Sequence, residues 1–241
     1  MTYRLVIKSA QIQQEQIILD AQQLHYLLRV LRLGNGDRFL ALDGVGNAWL
    51  AEITESSAQI IESVEIKTEL PSTLSLITAL PKGSGYEQVI RCCTELGVSN
   101  FIPVISDRTL LKPNPNKVQR WRKIATEAAE QSERQIVPQI LEPATYISAI
   151  EQVKATQNKQ DKYICVARGD MPTLWSSLQQ QTPAKIIIAT GCEGGWTDAE
   201  VAKAIALGFQ PVSLGKRILR AITAPIVVSS IVTAILESKT N

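Results

Sequence analysis

The chain has 241 residues, 45% of them hydrophobic and 20% charged, with a formal net charge of +2. That is ordinary globular composition for one large or two unequal domains, and any nucleic-acid surface must come from local clustering of charge rather than from the overall balance. The four cysteines (Cys92, Cys93, Cys165, Cys192) form no C-x-x-C and His25 is the sole histidine, so a structural zinc site is disfavoured. The longest apolar stretch, Ala221 to Leu236, falls short of the ~20 residues that span a bilayer and contains Pro225. With no apolar signal run at the N-terminus, a reducing cytoplasm is the expected compartment.

Residues Tyr3 to Lys8 and Gln16 to Leu19 read as short strands, and Asp20 is a good N-cap for a helix from Ala21 to Leu33 closed by Gly34. Strands follow at Asp37 to Leu42, Asn47 to Thr54 and Ala58 to Ile66, broken by Asp43-Gly44-Val45-Gly46 and Ser56-Ser57, as in a small antiparallel barrel. Glu69-Leu70-Pro71-Ser72 reads as a linker. The division expected is therefore a barrel over residues 1–70 and a second domain over 71–241.

From Thr73 the pattern alternates. Strands are expected at Leu74 to Leu80, Phe101 to Ile105, Tyr163 to Ala167, Lys185 to Thr190 and Gln210 to Leu214. Helices are expected at Tyr86 to Leu96, Asn116 to Arg134, around Tyr146 to Lys154, around Thr173 to Gln180, at Asp198 to Leu207, and finally at Arg217 to Glu237. Such alternation implies an α/β domain with a mostly parallel sheet and helices on both faces, whose ligands sit beyond the carboxyl ends of the strands.

Two glycine-marked turns lie at such ends. Gly191, Gly194 and Gly195 fall within five residues, where a chain without Cβ atoms exposes its peptide groups to a polar ligand. Thr197 and Glu200 then have capping-box spacing. The second turn is Ser213-Leu214-Gly215-Lys216-Arg217-Ile218-Leu219-Arg220. Familiar alternatives fail: Gly83-Ser84-Gly85 lacks the third glycine of a dinucleotide fingerprint, no G-x-x-x-x-G-K-[ST] occurs, and no G-x-S-x-G supports a serine hydrolase.

Five ordered motifs carry a resemblance: Lys82-Gly83 with Glu95-Leu96-Gly97-Val98; Glu127 to Arg134 followed by Pro138; Gly191-x-Glu193-Gly194-Gly195; Leu214-Gly215-x-Arg217-Ile218-Leu219-Arg220 with Thr223-Ala224; and His25 to Arg32 with Gly36-Asp37 through Asp43-Gly44. Together they resemble the bacterial 16S ribosomal RNA uridine-N3 methyltransferases of the SPOUT superfamily over nearly the whole chain. The resemblance implies an N-terminal PUA-like RNA-binding barrel and a C-terminal methyltransferase domain with a trefoil knot. It also implies S-adenosylmethionine as methyl donor, a homodimer, 16S ribosomal RNA or the small subunit as partner, and no metal or membrane. The donor-binding positions it implies are Thr190, Gly191, Glu193, Gly194, Gly195, Ser213, Leu214, Gly215, Ile218, Leu219, Arg220 and Ala224.

Two positions depart from that pattern: Cys192 stands where proline is usual, and Ile222 stands where glutamate usually precedes Thr-Ala. The second removes a carboxylate and gives weight to a rival reading, a non-catalytic RNA-binding or ribosome-assembly protein that kept the fold. For N3 methylation, the uracil proton must leave while negative charge spreads onto O2 and O4, so a base and a cation are useful. Glu193 is the candidate base, or equally a partner for a ligand hydroxyl or the backbone; Arg4 and Arg220 are the candidate cations.

Candidate RNA contacts are Arg29, Arg32, Lys82, Arg108, Lys112 and Arg120. From Arg108 to Lys123 the basic residues have no acidic neighbour, which suits phosphate attraction but equally a solvated helix start. Arg29 and Arg32 either face RNA or flank an apolar stripe. Trp121, at helical spacing with Val118 and Ala125, is read as core.

Overall fold

The computed structural model describes residues 3–155, 160–179 and 183–239. Gln180, at the end of one expected helix, lies outside the described residues. The chain forms two compact units: the first holds the residues up to Glu69 together with Ala129–Val137, and the second holds Leu70–Ala128 and everything from Pro138. The first unit is thus discontinuous in sequence, unlike the continuous division read at residue 70.

The first unit contains strands β1 (Tyr3–Val6), β2 (Ile12–Gln13) and β3 (Gln16–Ile18), helix α1 (Ala21–His25), then β4 (Arg38–Leu42), β5 (Ala48–Ile53) and β6 (Ser57–Ser63). Its six-stranded sheet runs β1-β4-β5-β6-β3-β2. All neighbours are antiparallel except β1 and β4, which are parallel. The antiparallel pairing expected of the strands from Asp37 to Ile66 is present, and β1 joins them in parallel. The parallel pair arises because β2, β3 and α1 intervene between its strands, giving the chain length for a crossover that no hairpin supplies. Leu5, Ile7, Ile17, Leu27, Phe39, Ala51 and Ile53 fill the core.

Asp20 caps α1 as read from sequence, accepting the Gln22 and Gln23 N–H groups at 2.9 and 2.8 Å, while the Gln23 side chain accepts the Asp20 N–H at 3.0 Å. The helix does not run unbroken to Leu33. It loosens into a π-helical turn over Tyr26–Val30, where the Leu31 N–H reaches the Tyr26 carbonyl at 2.9 Å, and Arg32 turns left-handed at φ 58°. The extra residue in that turn keeps Leu24, Leu27, Leu28 and Leu31 all against the core.

The second unit contains β7 (Thr73–Ala79), α2 (Gly85–Glu95), β8 (Asn100–Ile105), α3 (Pro115–Gln131, its last turn counted with the first unit), β9 (Gln139–Ile140), β10 (Ala144–Thr145) and α4 (Tyr146–Ala155). β11 (Asp161–Cys165), α5 (Leu174–Gln179), β12 (Lys185–Thr190), α6 (Asp198–Ala206), β13 (Gln210–Val212) and α7 (Thr223–Ser238) complete it. The sheet is parallel throughout, in the order β10-β8-β7-β12-β11-β13, with β9 also paired to β8. In β7 every residue from Leu74 to Ala79 is buried, as a strand covered on both faces requires. Trp121 is 1% exposed and meets Tyr86 edge-on at 4.7 Å, a core residue.

The last helix departs from expectation. It starts at Thr223 rather than Arg217, and residues 216–222 form an irregular turn. Pro225 explains the shift: in the first turn its missing N–H costs nothing, whereas a helix from Arg217 would carry it in the interior, where it breaks the hydrogen-bond ladder.

Candidate functional site

The carboxyl ends of β11, β12 and β13 converge on a cavity of about 530 Å³ in the second unit. Three chain segments supply most of its wall: Cys165 to Arg168 after β11, Gly191 to Trp196 after β12, and residues of Leu214 to Ala221 after β13, with Arg108, Asp198, Val201 and Ala224 completing it. Both glycine turns therefore face one space, although their strands are not neighbours: β11 lies between β12 and β13. Sequence reading overlooked the β11 end. Its position at the carboxyl edge of a parallel strand was the available signal.

The first turn is held by contacts within itself and to its neighbours. The Gly195 N–H donates to the Cys192 carbonyl at 2.9 Å, with Gly195 at φ 66°. A Cβ on Gly191 would come within 3.3 Å of the Gly195 Cα, a tighter contact than side chains usually make, so the two glycines approach closely here. Thr197 and Glu200 form the expected capping box, and Glu200, 3% exposed, also accepts the Asp107 N–H at 3.0 Å. Trp196 lies against Tyr146 with ring centroids 4.4 Å apart. Cys192 is buried, its sulfur 3.8 Å from the Ser106 hydroxyl.

Glu193 is exposed, and its Oε1 accepts the Lys82 N–H at 3.0 Å. The carboxylate thus bridges the glycine turn to the turn Lys82-Gly83-Ser84-Gly85. The second glycine turn is left-handed at Gly215 (φ 111°), whose N–H donates to the Ser213 hydroxyl at 3.1 Å. The Arg220 carbonyl accepts the Thr223 and Ala224 N–H groups at 2.9 and 3.0 Å, which starts α7. Among the described residues, no atom beyond the chain neighbours lies within 4 Å of where a Cβ would stand on Gly195 or Gly215, so both glycine faces are open. An open peptide surface bordering a cavity of drug-molecule size fits a nucleoside-bearing ligand.

Of the residues singled out from sequence, Gly191, Glu193, Gly194, Gly195, Leu214, Gly215, Ile218, Leu219 and Ala224 line this cavity. Thr190 is fully buried beneath it and reaches Thr78 at 3.5 Å. Ser213 holds the turn rather than lining the space, and the Arg220 side chain is exposed beside it. Arg4 belongs to the first unit, where it pairs with Glu133 at 2.7 Å.

The basic run is less free than its sequence suggests. Arg120 pairs with Glu87 at 2.9 Å, Arg122 with Glu142 at 2.6 Å, and Lys117 donates to the Gly83 carbonyl at 3.4 Å. Arg108 donates to the Gly194 and Trp196 carbonyls at 2.7 and 3.2 Å and lines the cavity. Lys82, Lys112, Arg29 and Arg32 are exposed. Ile222 is half-buried, its Cδ1 placed 2.8 Å from where a Cβ on Gly85 would stand.

Fold and cavity together define a two-domain RNA methyltransferase. Residues 68–233 match the RNA methyltransferase domain family, and residues 19–66 match the RNA methyltransferase PUA domain. The Ribosomal RNA small subunit methyltransferase E of Synechocystis is 51% identical over 99% of this chain and 79% of its own length; that of Bacillus subtilis is 29% identical over 86% of each. The crystal structure of the Neisseria gonorrhoeae enzyme of that name, bound to S-adenosyl methionine, superposes with a TM-score of 0.85 at 29% identity, covering 100% of this chain and 98% of that one. The chain belongs to the ribosomal RNA small subunit methyltransferase E family.

Proposed function

We propose that the protein transfers the methyl group of S-adenosylmethionine to N3 of a uridine in 16S ribosomal RNA. The observation that carries this reading is the meeting of the two glycine turns at one cavity in a chain of this family. The Neisseria relative binds S-adenosyl methionine in its crystal structure, and the open glycine faces here suit the same ligand. Bound there, the donor supplies an electrophilic methyl. The chain's own residues have the remaining tasks of holding it, placing the uracil and moving one proton.

Glu193 is the carboxylate we assign to that proton. Its Oε1 is occupied by the Lys82 N–H, which orients the group and leaves Oε2 for N3–H. Because Arg4 is engaged with Glu133, we assign stabilisation of the charge on O2 and O4 to Arg220, exposed at the end of the second turn. We place the donor against Gly191, Gly194, Gly195, Leu214, Gly215, Ile218, Leu219 and Ala224, with Thr190 and Ser213 supporting from behind. RNA phosphates fall to the exposed cations Lys82, Lys112, Arg29 and Arg32.

We further infer a homodimer, a trefoil knot through the crossing of residues 213–222, and a cytoplasmic location. For the last, no described helix is long and apolar enough to cross a membrane. The loss of glutamate at 222 does not by itself favour a non-catalytic reading, since Ile222 has a packing role on Gly85. The test incubates the full chain with S-adenosylmethionine and unmodified small subunits, then analyses RNA nucleosides by mass spectrometry. N3-methyluridine is the expected product; donor binding without any methylated nucleoside would establish the RNA-binding reading instead.

A further inference from the structure

The segment Ser106-Asp107-Arg108 leaves the carboxyl end of β8, two strands away from β12, and each of its residues grips a different part of the chain from Cys192 to Glu200. Ser106 touches the Cys192 sulfur. Asp107 gives its N–H to Glu200 and brings its carboxylate within 3.2 Å of the Thr197 hydroxyl. Arg108 spends one terminal nitrogen on two carbonyls, those of Gly194 and Trp196. The fit is steric as well: a Cβ on Gly194 would stand 2.9 Å from the Arg108 Cβ and 3.1 Å from its Cδ. The arginine stem therefore lies flat on the glycine, and only glycine admits it there.

We propose that Arg108 is a positioning residue for the methyl donor rather than a phosphate contact, an inference that rests on the donor site proposed above. A turn with glycines at positions 191, 194 and 195 has a large conformational entropy of its own, and holding one shape is costly without an external anchor. The guanidinium supplies that anchor. It fixes two peptide planes by charge-assisted bonds and stands at the cavity edge while doing so. Its charge is partly satisfied by those carbonyls, which leaves less of it for RNA. The sequence, in which Arg108 simply opens a basic run, gives no hint of this.

Two properties of the full chain decide the matter: the Kd for S-adenosylmethionine by calorimetry, and the salt dependence of binding to small-subunit RNA. Arg108→Ala is expected to raise the donor Kd about tenfold or more, the loss of charge-assisted bonds. Arg108→Lys is expected to fall between, and added methylguanidinium is expected to restore part of the affinity of Arg108→Ala, a rescue that a general folding defect would not show. The slope of RNA affinity against salt is expected to stay unchanged. An unchanged donor Kd in both variants, with the salt slope reduced by about one phosphate, would overturn the proposal and make Arg108 an RNA contact. If the unaltered protein binds no donor at all, the donor site itself fails, which is a separate result.

Discussion

Arg134 and Glu69 form a two-pronged ion pair in the first unit: Nη2 meets Oε2 at 2.7 Å and Nε meets Oε2 at 3.2 Å, with the arginine side chain 3% exposed. Glu69 Oε1 also accepts the Ile136 N–H at 3.0 Å. Nearby, the Glu130 carboxylate accepts the Val6 N–H at 2.6 Å and Arg4 pairs with Glu133. These bonds hold residues 129–137 in a unit whose other residues end sixty positions earlier.

Removing either partner breaks a charge-assisted pair whose arginine side chain is only 3% exposed. Glu69→Ala is expected to cost about 3 kcal/mol of unfolding free energy, and Arg134→Ala a similar amount. Urea unfolding of the two single variants and the double variant checks this. A double variant no less stable than either single one is the expected sign of direct coupling.

Glu193→Gln keeps an oxygen for the Lys82 N–H and removes the ability to take a proton. Donor affinity is therefore expected to hold within about twofold, while the single-turnover methylation rate falls about a hundredfold or more. An unchanged rate would reduce Glu193 to a bridge between turns.

Gly85 opens α2 beneath Ile222, with the isoleucine Cδ1 only 2.8 Å from the position of an added Cβ. Gly85→Ala alone is expected to destabilise by about 1 kcal/mol, the cost of overpacking. In an Ile222→Ala background the clash is gone and the gain in helix propensity remains, so the same change becomes neutral or favourable. Thermal melts of the four proteins measure the reversal of sign.

Burial pushes the Cys93 thiol from its usual value near 9 up to about 12, against a smaller opposing effect of the Ser229 hydroxyl. The folded state therefore holds a proton that the unfolded chain releases. The sign follows: this contribution is intact below pH 9 and is lost as pH rises toward 12. Urea midpoints at pH 8 and pH 10.5 are expected to differ less in Cys93→Ala than in the unaltered protein. The same thiol is expected to resist alkylation at pH 8 until the protein unfolds.

What the sequence alone determined is whatever depends on neighbours along the chain. The Asp20 and Thr197 caps, the two glycine turns and the alternation of buried strands with helices were all legible, because capping bonds, left-handed turns and side-chain periodicity are local properties. Tertiary structure alone decided which distant groups meet. It inserted β11 between the strands carrying the two turns, laid Arg108 on Gly194, gave Ile222 a place on Gly85 and engaged Arg4 with Glu133. A charged side chain has the same local sequence whether it faces water, RNA or a carbonyl 86 residues away, and only the packed chain supplies the partner that settles its role.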